Sequence, residues 1–222
     1  MRKLLTLALM FVMAFSLVSC KDDNDDNGND GNQQQQTPAT EDQLVADQFA
    51  NLVAGKEVYL TTVGQSDIDT VQNIISRVDE TKVGFNDESK EINVHVENVL
   101  KVDDVADGSV VFLVTGSSTK GLGAAGTDIT AENTRAQAFA DAAKANKITL
   151  VVLHVGGDQR RGPQADPIIN KVVPAAKLVM VVNTGNADGL FTTLTSANGV
   201  AFNSYTKSSK MVDSFKKIFG IA

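Results

Sequence analysis

Cysteine is almost absent from this sequence, and so are tryptophan and tyrosine, which form stacking platforms for sugars. The 222 residues include one cysteine, no tryptophan, two tyrosines and two histidines. One cysteine cannot form a disulfide within the chain, and cysteine and histidine are too few for a transition-metal site, so no metal is expected. The formal net charge is −7 and the chain has no basic face, so no nucleic acid is expected as a partner.

The single cysteine, Cys20, lies at the end of an amino-terminal apolar segment. A short basic start is followed by an apolar run over residues 4–18, which is typical of a secretory signal peptide and too short to span a bilayer comfortably. Residues 17–20, Leu-Val-Ser-Cys, resemble the lipobox of bacterial lipoproteins. This resemblance implies a signal peptide over residues 1–19 and a Cys20 whose acyl chains bind the membrane. An ordinary signal peptide with an incidental cysteine is the alternative.

The segment after Cys20 is rich in Asp, Asn, Gln and Gly and low in apolar residues. It cannot bury enough surface to offset its ordering entropy, so residues 20–43 are expected to form a disordered acidic tether. Its first residues, Lys21, Asp22 and Asp23, resemble the acidic surface-export signal of Bacteroidetes lipoproteins. The resemblance implies an outer-membrane lipoprotein exposed at the cell surface. If the segment is only a solvating spacer, a periplasmic orientation stays open.

Residues 44–222 are expected to form a single α/β domain. Runs rich in Val, Leu and Ile predict strands buried on both faces at residues 57–63, 109–115, 148–155 and 177–182, and more mixed runs predict edge strands at 91–99 and 200–205. Helical patterns separate most of these runs. The alternation predicts a three-layer, Rossmann-like or flavodoxin-like fold with a mostly parallel sheet of about six strands.

The predicted strands, numbered along the chain, are expected in the order 2-1-3-4-5-6. In such a sheet the ligand crevice opens beyond the carboxyl ends of the strands, where the order reverses. Three loops rich in glycine and polar residues meet there, at residues 64–66, 116–128 and 156–166. These loops are therefore the expected site.

The loop at residues 116–128 resembles a phosphate-binding loop without matching an established motif. A P-loop needs Gly-Lys-Ser/Thr at the start of a helix, but here Lys120 precedes Gly121. Gly121, Gly123 and Gly126 satisfy G-x-G-x-x-G, yet they follow the third strand rather than the first, and the next strand ends without an acid. A flexible glycine loop, a dinucleotide site and a site for another anionic or polar ligand stay open.

Few residues are candidates for chemistry. His154, at the end of the fourth predicted strand, is a weak candidate for an acid or base, although a structural role is typical of such a position. Ser117 and Ser118 lack the G-x-S-x-G spacing of a nucleophile elbow. Arg160 and Arg161 lie in a glycine-bracketed loop before a helix whose partly positive amino end can face the same place, which favours an anion. A solvated arginine pair is the alternative.

Three segments resemble the recurring features of one family. They are Gly-Gln-Ser at residues 64–66, the glycine-rich run at 118–126 and Gly-Gly-Asp-Gln-Arg-Arg-Gly-Pro at 156–163. They are similar to an uncharacterised family of bacterial Rossmann-like domains, a domain of unknown function, and the similarity covers nearly all of residues 57–219. It implies a shared site at the strand ends and brings no known activity.

The expected function is binding of a small polar or anionic ligand at the carboxyl ends of the strands. Two other classes stay open: an enzyme, a hydrolase or transferase that uses His154 in the same crevice, and an accessory subunit of an envelope protein complex. The sequence indicates no particular cofactor or protein partner. The expected ligand-binding residues are Gly64, Gln65, Ser66, Gly116, Ser117, Ser118, Lys120, Gly121, Gly123, Gly157, Arg160 and Arg161.

Overall fold

The computed structural model describes residues 42–221. The predicted signal peptide, Cys20, the proposed export signal and residues 20–41 of the predicted tether lie outside the described residues. Within residues 42–221, no helix combines the length and the apolarity needed to cross a membrane.

The described residues contain one seven-stranded sheet. Its strands are β1 (Val58–Val63), β2 (Val83–Phe85), β3 (Ile92–Val96), β4 (Val110–Thr115), β5 (Thr149–His154), β6 (Leu178–Val182) and β7 (Ala201–Tyr205). They lie in the order β2-β3-β1-β4-β5-β6-β7, and every neighbouring pair is parallel. The order reverses at β1, which pairs with β3 on one side and with β4 on the other.

Six α-helices accompany the sheet within this part of the chain. They are α1 (Ile68–Ile75), α2 (Thr119–Ala124), α3 (Ile129–Lys144), α4 (Asp166–Val172), α5 (Leu190–Asn198) and α6 (Val212–Phe219). The longest, α3, begins after Asp128, whose Oδ1 accepts hydrogen bonds from the backbone N–H groups of Thr130 and Ala131 at 2.8 and 2.9 Å. Such a cap satisfies donors that have no partner inside the helix.

Both faces of the sheet are buried. Successive side chains of a strand point to opposite faces, and each face packs against its own set of helices. In β4, the side chains of Val110, Phe112 and Val114 pack in the apolar cluster that contains α1 and α6. Val111 and Leu113 pack in the cluster that contains α3, α4 and α5. This double burial explains why the central strands appear in the sequence as continuous apolar runs.

The α/β class and the relative order of the six predicted strands are confirmed. Two elements were not expected. The short strand β2 pairs with β3, so the run at residues 91–99 is not the sheet edge, and α2 lies within the predicted loop at residues 116–128. Three residues are too few to show a strand period, and the two glycines of α2 have low helix propensity.

The first described residues pack against β7 and α6. The backbone N–H and Oγ1 of Thr206 both donate to Asp42 Oδ1 at 2.7 Å. Lys217 Nζ donates to the carbonyl oxygen of Val45 at 2.8 Å, and the buried Phe49 belongs to the cluster that contains α1 and α6. The segment before β1 is therefore part of the folded structure.

Candidate functional site

The loop after β1, at residues 64–67, turns sharply across the carboxyl edge of the sheet. The φ angle is 87° at Gly64 and 58° at both Gln65 and Asp67, a conformation that residues other than glycine rarely adopt. Packing also requires glycine at position 64, because an added Cβ would lie 1.8 Å from the carbonyl oxygen of Gly116. The ends of β1 and β4 therefore approach each other more closely than a side chain would allow.

A buried carboxylate on α3, Glu132, holds this loop. Its Oε2 accepts hydrogen bonds from the backbone N–H of Gly64 at 2.9 Å and from Gln65 Nε2 at 3.1 Å. Its Oε1 accepts from Thr127 Oγ1 at 3.2 Å and from Arg135 Nη1 at 3.4 Å. Glu132 is 0% exposed, and a buried charge is very unfavourable unless it is paired and hydrogen-bonded. These donors therefore fix the loop to α3.

Several backbone N–H groups of the glycine-rich loop already bind within the protein. Ser117 N donates to the carbonyl oxygen of Arg160 at 3.1 Å. Ser118 N donates to the carbonyl oxygen of Gly64 at 3.0 Å, and Ser118 Oγ caps α2 by accepting from Gly121 N at 3.1 Å. A phosphate cradle needs successive N–H groups that converge on an anion. Here these groups bind neighbouring loops and α2 instead.

A cavity of about 240 Å³ lies where the strand order reverses, and we call it the switch cavity. Its wall comes from the β1–α1 segment, the residue Asn98 after β3, and α2 with its carboxyl end: Thr62, Gln65, Ser66, Asp67, Ile68, Asp69, Asn98, Gly121, Ala124 and Ala125. Gly121 lets α2 approach the loop, because an added Cβ would lie 2.0 Å from the carbonyl oxygen of Gln65.

Two buried polar atoms in residues of this wall accept no hydrogen bond within the described part of the chain. Ser66 is 5% exposed, and its Oγ has no partner. Asp67 Oδ2 lies 3.2 Å from Arg160 Nε as an ion pair but accepts no hydrogen bond. Buried polar groups are nearly always bonded to protein, water or another molecule. The two atoms lie beneath the wall, Ser66 Oγ beside Gly116 and Asp67 Oδ2 beside Gly156.

The two neighbouring arginines have different surroundings, and Arg161 is the more enclosed. Its side chain is 10% exposed, its Nε donates to Asp166 Oδ1 at 2.8 Å, and its Nη2 donates to Asp188 Oδ2 at 2.8 Å. Nη1 donates to the carbonyl oxygen of Gly185, and Cζ lies 5.4 Å from the centroid of the Phe191 ring. The hydrogen bond from Arg161 lowers the pKa of Asp188.

Arg160 is more accessible, with a side chain that is 38% exposed and that pairs with Asp67. Lys120 is exposed on α2. The alternative of a solvated arginine pair is therefore wrong, since both arginines form ion pairs and Arg161 is enclosed. An anion would meet Arg160 only together with the carboxylate to which it is paired.

His154 is buried at the end of β5, and both ring nitrogens face backbone carbonyl groups. Nδ1 lies 2.9 Å from the oxygen of Thr115, and Nε2 lies 2.9 Å from the oxygen of Gly157. Burial lowers the pKa of His154 below its ordinary value of 6.5, although the two carbonyl groups oppose this shift. The ring is 0% exposed, which favours a structural role over acid–base chemistry on a ligand.

Replacing His154 with glutamine is expected to reduce the acid sensitivity of the protein. Because the folded-state pKa lies below 6.5, the unfolded chain takes up a proton first as the pH falls. The wild type therefore loses free energy of unfolding as the pH falls from about 7.5 to about 5.5. Urea unfolding at both pH values measures this loss, which should shrink in His154→Gln. An equal loss in the two proteins would contradict the expectation.

A larger cavity, of about 440 Å³, lies at the opposite end of the strands, near the amino ends of β4 and β5. Its wall comes from the segment before β4 and the carboxyl end of α3 and includes Asp107, Asp141 and Lys147. No residue of this wall has a buried side-chain atom that lacks a hydrogen bond. Parallel sheets bind ligands beyond the carboxyl ends of their strands, so the switch cavity is the better candidate despite its smaller volume.

The switch cavity brings together part of the expected site. Three of the expected residues line it: Gln65, Ser66 and Gly121. Others shape the loops beside it through backbone contacts: Gly64, Gly116, Ser117 and Ser118. The remaining ones do not line it: Lys120, Gly123, Gly157, Arg160 and Arg161. Across residues 42–221, no group of His, Cys, Asp or Glu side chains is arranged to hold a metal ion.

The residues that the sequence analysis missed include Asp67 and Asp69 of the cavity wall, as well as Glu132 and Asn98. Glu132 lies at helical spacing from the buried Ala136 and Phe139, so a charge within an apolar stripe was the available signal. Asn98 acts through its carbonyl oxygen, which accepts from Gln65 Nε2 at 3.0 Å and from Arg135 Nη1 at 3.1 Å. Every residue has a carbonyl oxygen, so the sequence gives no signal for this role.

The fold and the site define an α/β domain with a parallel sheet and a small polar cavity where the strand order reverses. The chain belongs to the family described as domain of unknown function (DUF6305), whose family model matches residues 55–219. The expected similarity to a domain of unknown function is confirmed. Comparisons with curated proteins and with solved structures find no match.

Proposed function

We propose that this protein binds a small polar ligand in the switch cavity. The observation that carries the proposal is a cavity of about 240 Å³ at the carboxyl ends of the strands whose wall includes the polar residues Gln65, Asp69 and Asn98. A ligand there could form hydrogen bonds with polar groups of this wall. The position at the reversal of strand order supports the same role, and it is typical of Rossmann-like and flavodoxin-like domains.

A polar ligand has more support than an anionic one. The donors of Arg161 are bound to Asp166, Asp188 and Gly185, and Arg160 pairs with Asp67. The backbone N–H groups of Ser117, Ser118 and Gly121 also donate hydrogen bonds within the protein. An enzymatic role that uses His154 has no comparable support, because its ring is buried between two carbonyl groups.

A screen of small polar compounds against isotope-labelled protein tests this proposal through backbone amide NMR shifts. A ligand of the switch cavity should shift the amides of residues 64–69 and 119–125. Ala124→Phe, which adds a ring to the cavity wall, should abolish these shifts. Gly123→Phe is the matched control, because an added Cβ there meets nothing within 4 Å. Equal binding to Ala124→Phe and wild type would refute the site, as would a panel that shifts none of these amides.

We also propose that the protein is an outer-membrane lipoprotein exposed at the cell surface. The lipobox-like Leu-Val-Ser-Cys and the Lys-Asp-Asp that follows it support this location. The accessibility of the protein to protease added to intact cells tests the exposure. Complete protection of the wild type would refute it.

Replacing Cys20 with alanine is expected to abolish lipidation. The thiol of Cys20 would carry the acyl chain, and the sequence contains no other cysteine. Cells grown with labelled fatty acid should yield labelled wild type and unlabelled Cys20→Ala. Ser19→Ala is the control for a change beside the same position and should stay labelled. Persistent label in Cys20→Ala would refute the assignment.

A further inference from the structure

Hydrogen bonds attach the helix α2 to the domain only at its two ends. Ser118 N donates to the loop after β1 at 3.0 Å, and Thr127 Oγ1 donates to the buried Glu132 at 3.2 Å. Within the described part of the chain, no hydrogen bond joins residues 119–125 to a residue outside 118–127. The segment between the two attachments can therefore leave the domain without breaking a hydrogen bond to it.

One buried side chain holds the middle of α2. Leu122 is 6% exposed, whereas four other residues of the helix are exposed: Thr119, Lys120, Gly123 and Ala124. Among the described residues, the two apolar clusters of the sheet do not include Leu122. A helix of six residues is marginal without tertiary packing, and its two glycines lower its propensity further. The helix therefore depends on the packing of Leu122.

We propose that α2 is a movable wall of the switch cavity, which opens by unwinding while the rest of the domain stays folded. In the closed form Gly121, Ala124 and Ala125 line the cavity, and α2 packs against Gln65. Unwinding between the two attachments removes this wall and admits a ligand. Local opening is typical of elements with few buried apolar contacts. The inference rests on the proposed function, because it describes how the same cavity is entered.

Amide hydrogen exchange of the full-length protein tests the opening. Ala125 N donates to the carbonyl oxygen of Gly121 at 2.9 Å, so this amide is released when α2 unwinds. We expect Ala125 to be less protected than the amides of residues 136–140 in α3, which contain buried side chains. Its exchange should also be insensitive to low concentrations of urea, because local unwinding exposes little surface.

Three substitutions in α2 should change the opening constant in different directions. Leu122→Ala removes the buried side chain and should raise the constant at least about tenfold. Gly123→Ala should lower it about fivefold, because alanine favours the helix and an added Cβ meets nothing within 4 Å. Lys120→Ala is the matched control on the same helix, since its side chain is exposed, and should change the constant less than about twofold.

The rate of alkylation by iodoacetamide tests whether this opening controls access to the cavity. Ile68 lines the cavity and is 6% exposed, so the thiol of Ile68→Cys reports on entry. Cys20→Ser in the same chain removes the only other thiol. Gly123→Ala should slow alkylation about fivefold, in proportion to the opening constant, and Leu122→Ala should accelerate it. Asn73→Cys, exposed on α1, should react at one rate in all these proteins.

Two results would overturn the inference. If Ala125 is as well protected as residues 136–140, α2 opens only when the whole domain unfolds. If alkylation of Ile68→Cys has the same rate with and without Gly123→Ala, α2 does not control access. Gly123→Ala adds no clash, so the test remains decisive if Leu122→Ala unfolds the domain. Neither measurement uses a ligand, so failure of the polar-compound screen is distinguishable from failure of this inference.

Discussion

The free energy of unfolding is expected to fall by about 3–5 kcal/mol when Glu132 is replaced by alanine, because removing one partner of a buried ion pair leaves the other uncompensated. Arg135 would lose its carboxylate partner, and its side chain is 13% exposed. Gly64 N and Gln65 Nε2 would lose the acceptor that holds the loop after β1. Urea unfolding of the two proteins measures the difference.

Two further variants check this explanation. Asp141→Ala removes an exposed carboxylate from the same helix and is expected to cost less than about 0.5 kcal/mol. Glu132→Gln preserves the shape and one acceptor oxygen, so its loss should lie between those of the other two variants. A loss below about 1 kcal/mol in Glu132→Ala would show that Glu132 does not anchor the loop.

Arg161→Ala is expected to lower the free energy of unfolding by at least about 2 kcal/mol, since hydrogen bonds to charged groups contribute about 1.5–3 kcal/mol each and do not add fully. The variant removes the hydrogen bonds of Arg161 to Asp166, Asp188 and the carbonyl oxygen of Gly185, although Asp166 still accepts from Gly162 N, and it removes the cation over Phe191. Chemical unfolding and the melting temperature both report this loss.

The neighbouring Arg160 provides the matched comparison. Its ion pair with Asp67 is partly exposed, so Arg160→Ala should cost less than about 1 kcal/mol. If the two alanine variants lose equal stability, the distinction between an enclosed and an accessible arginine is wrong.

The sequence was sufficient to predict the order of the central strands. The apolar runs that became β1, β4, β5 and β6 are buried on both faces, and this burial gives a strong one-dimensional signal. The three-residue strand β2 gives no such signal, because it is defined by pairing with β3. The helix α2 was missed for a different reason: it contains two glycines, which lower helix propensity, and one of them, Gly121, serves close packing on Gln65.

The candidate site was predictable in position but less so in composition. The loops at the strand ends follow from the reversal of strand order, and Gln65, Ser66 and Gly121 do line the cavity found there. The sequence suggested that Arg160 and Arg161 act together, but they pair with different carboxylates. Arg160 pairs with Asp67, whereas Arg161 pairs with Asp166 and Asp188. Asp188 reaches Arg161 through the packing of the loop before α5. The spacing of residues along the sequence gives no information about that packing.

A crystal structure with the strongest hit of the polar-compound screen tests the central claim most directly. We expect the compound in the switch cavity, between the loop after β1 and α2, in contact with Gln65, Asp69 or Asn98. A compound that instead occupies the larger cavity at the opposite end of the strands, or only the outer surface, would contradict the assignment of the switch cavity as the ligand site.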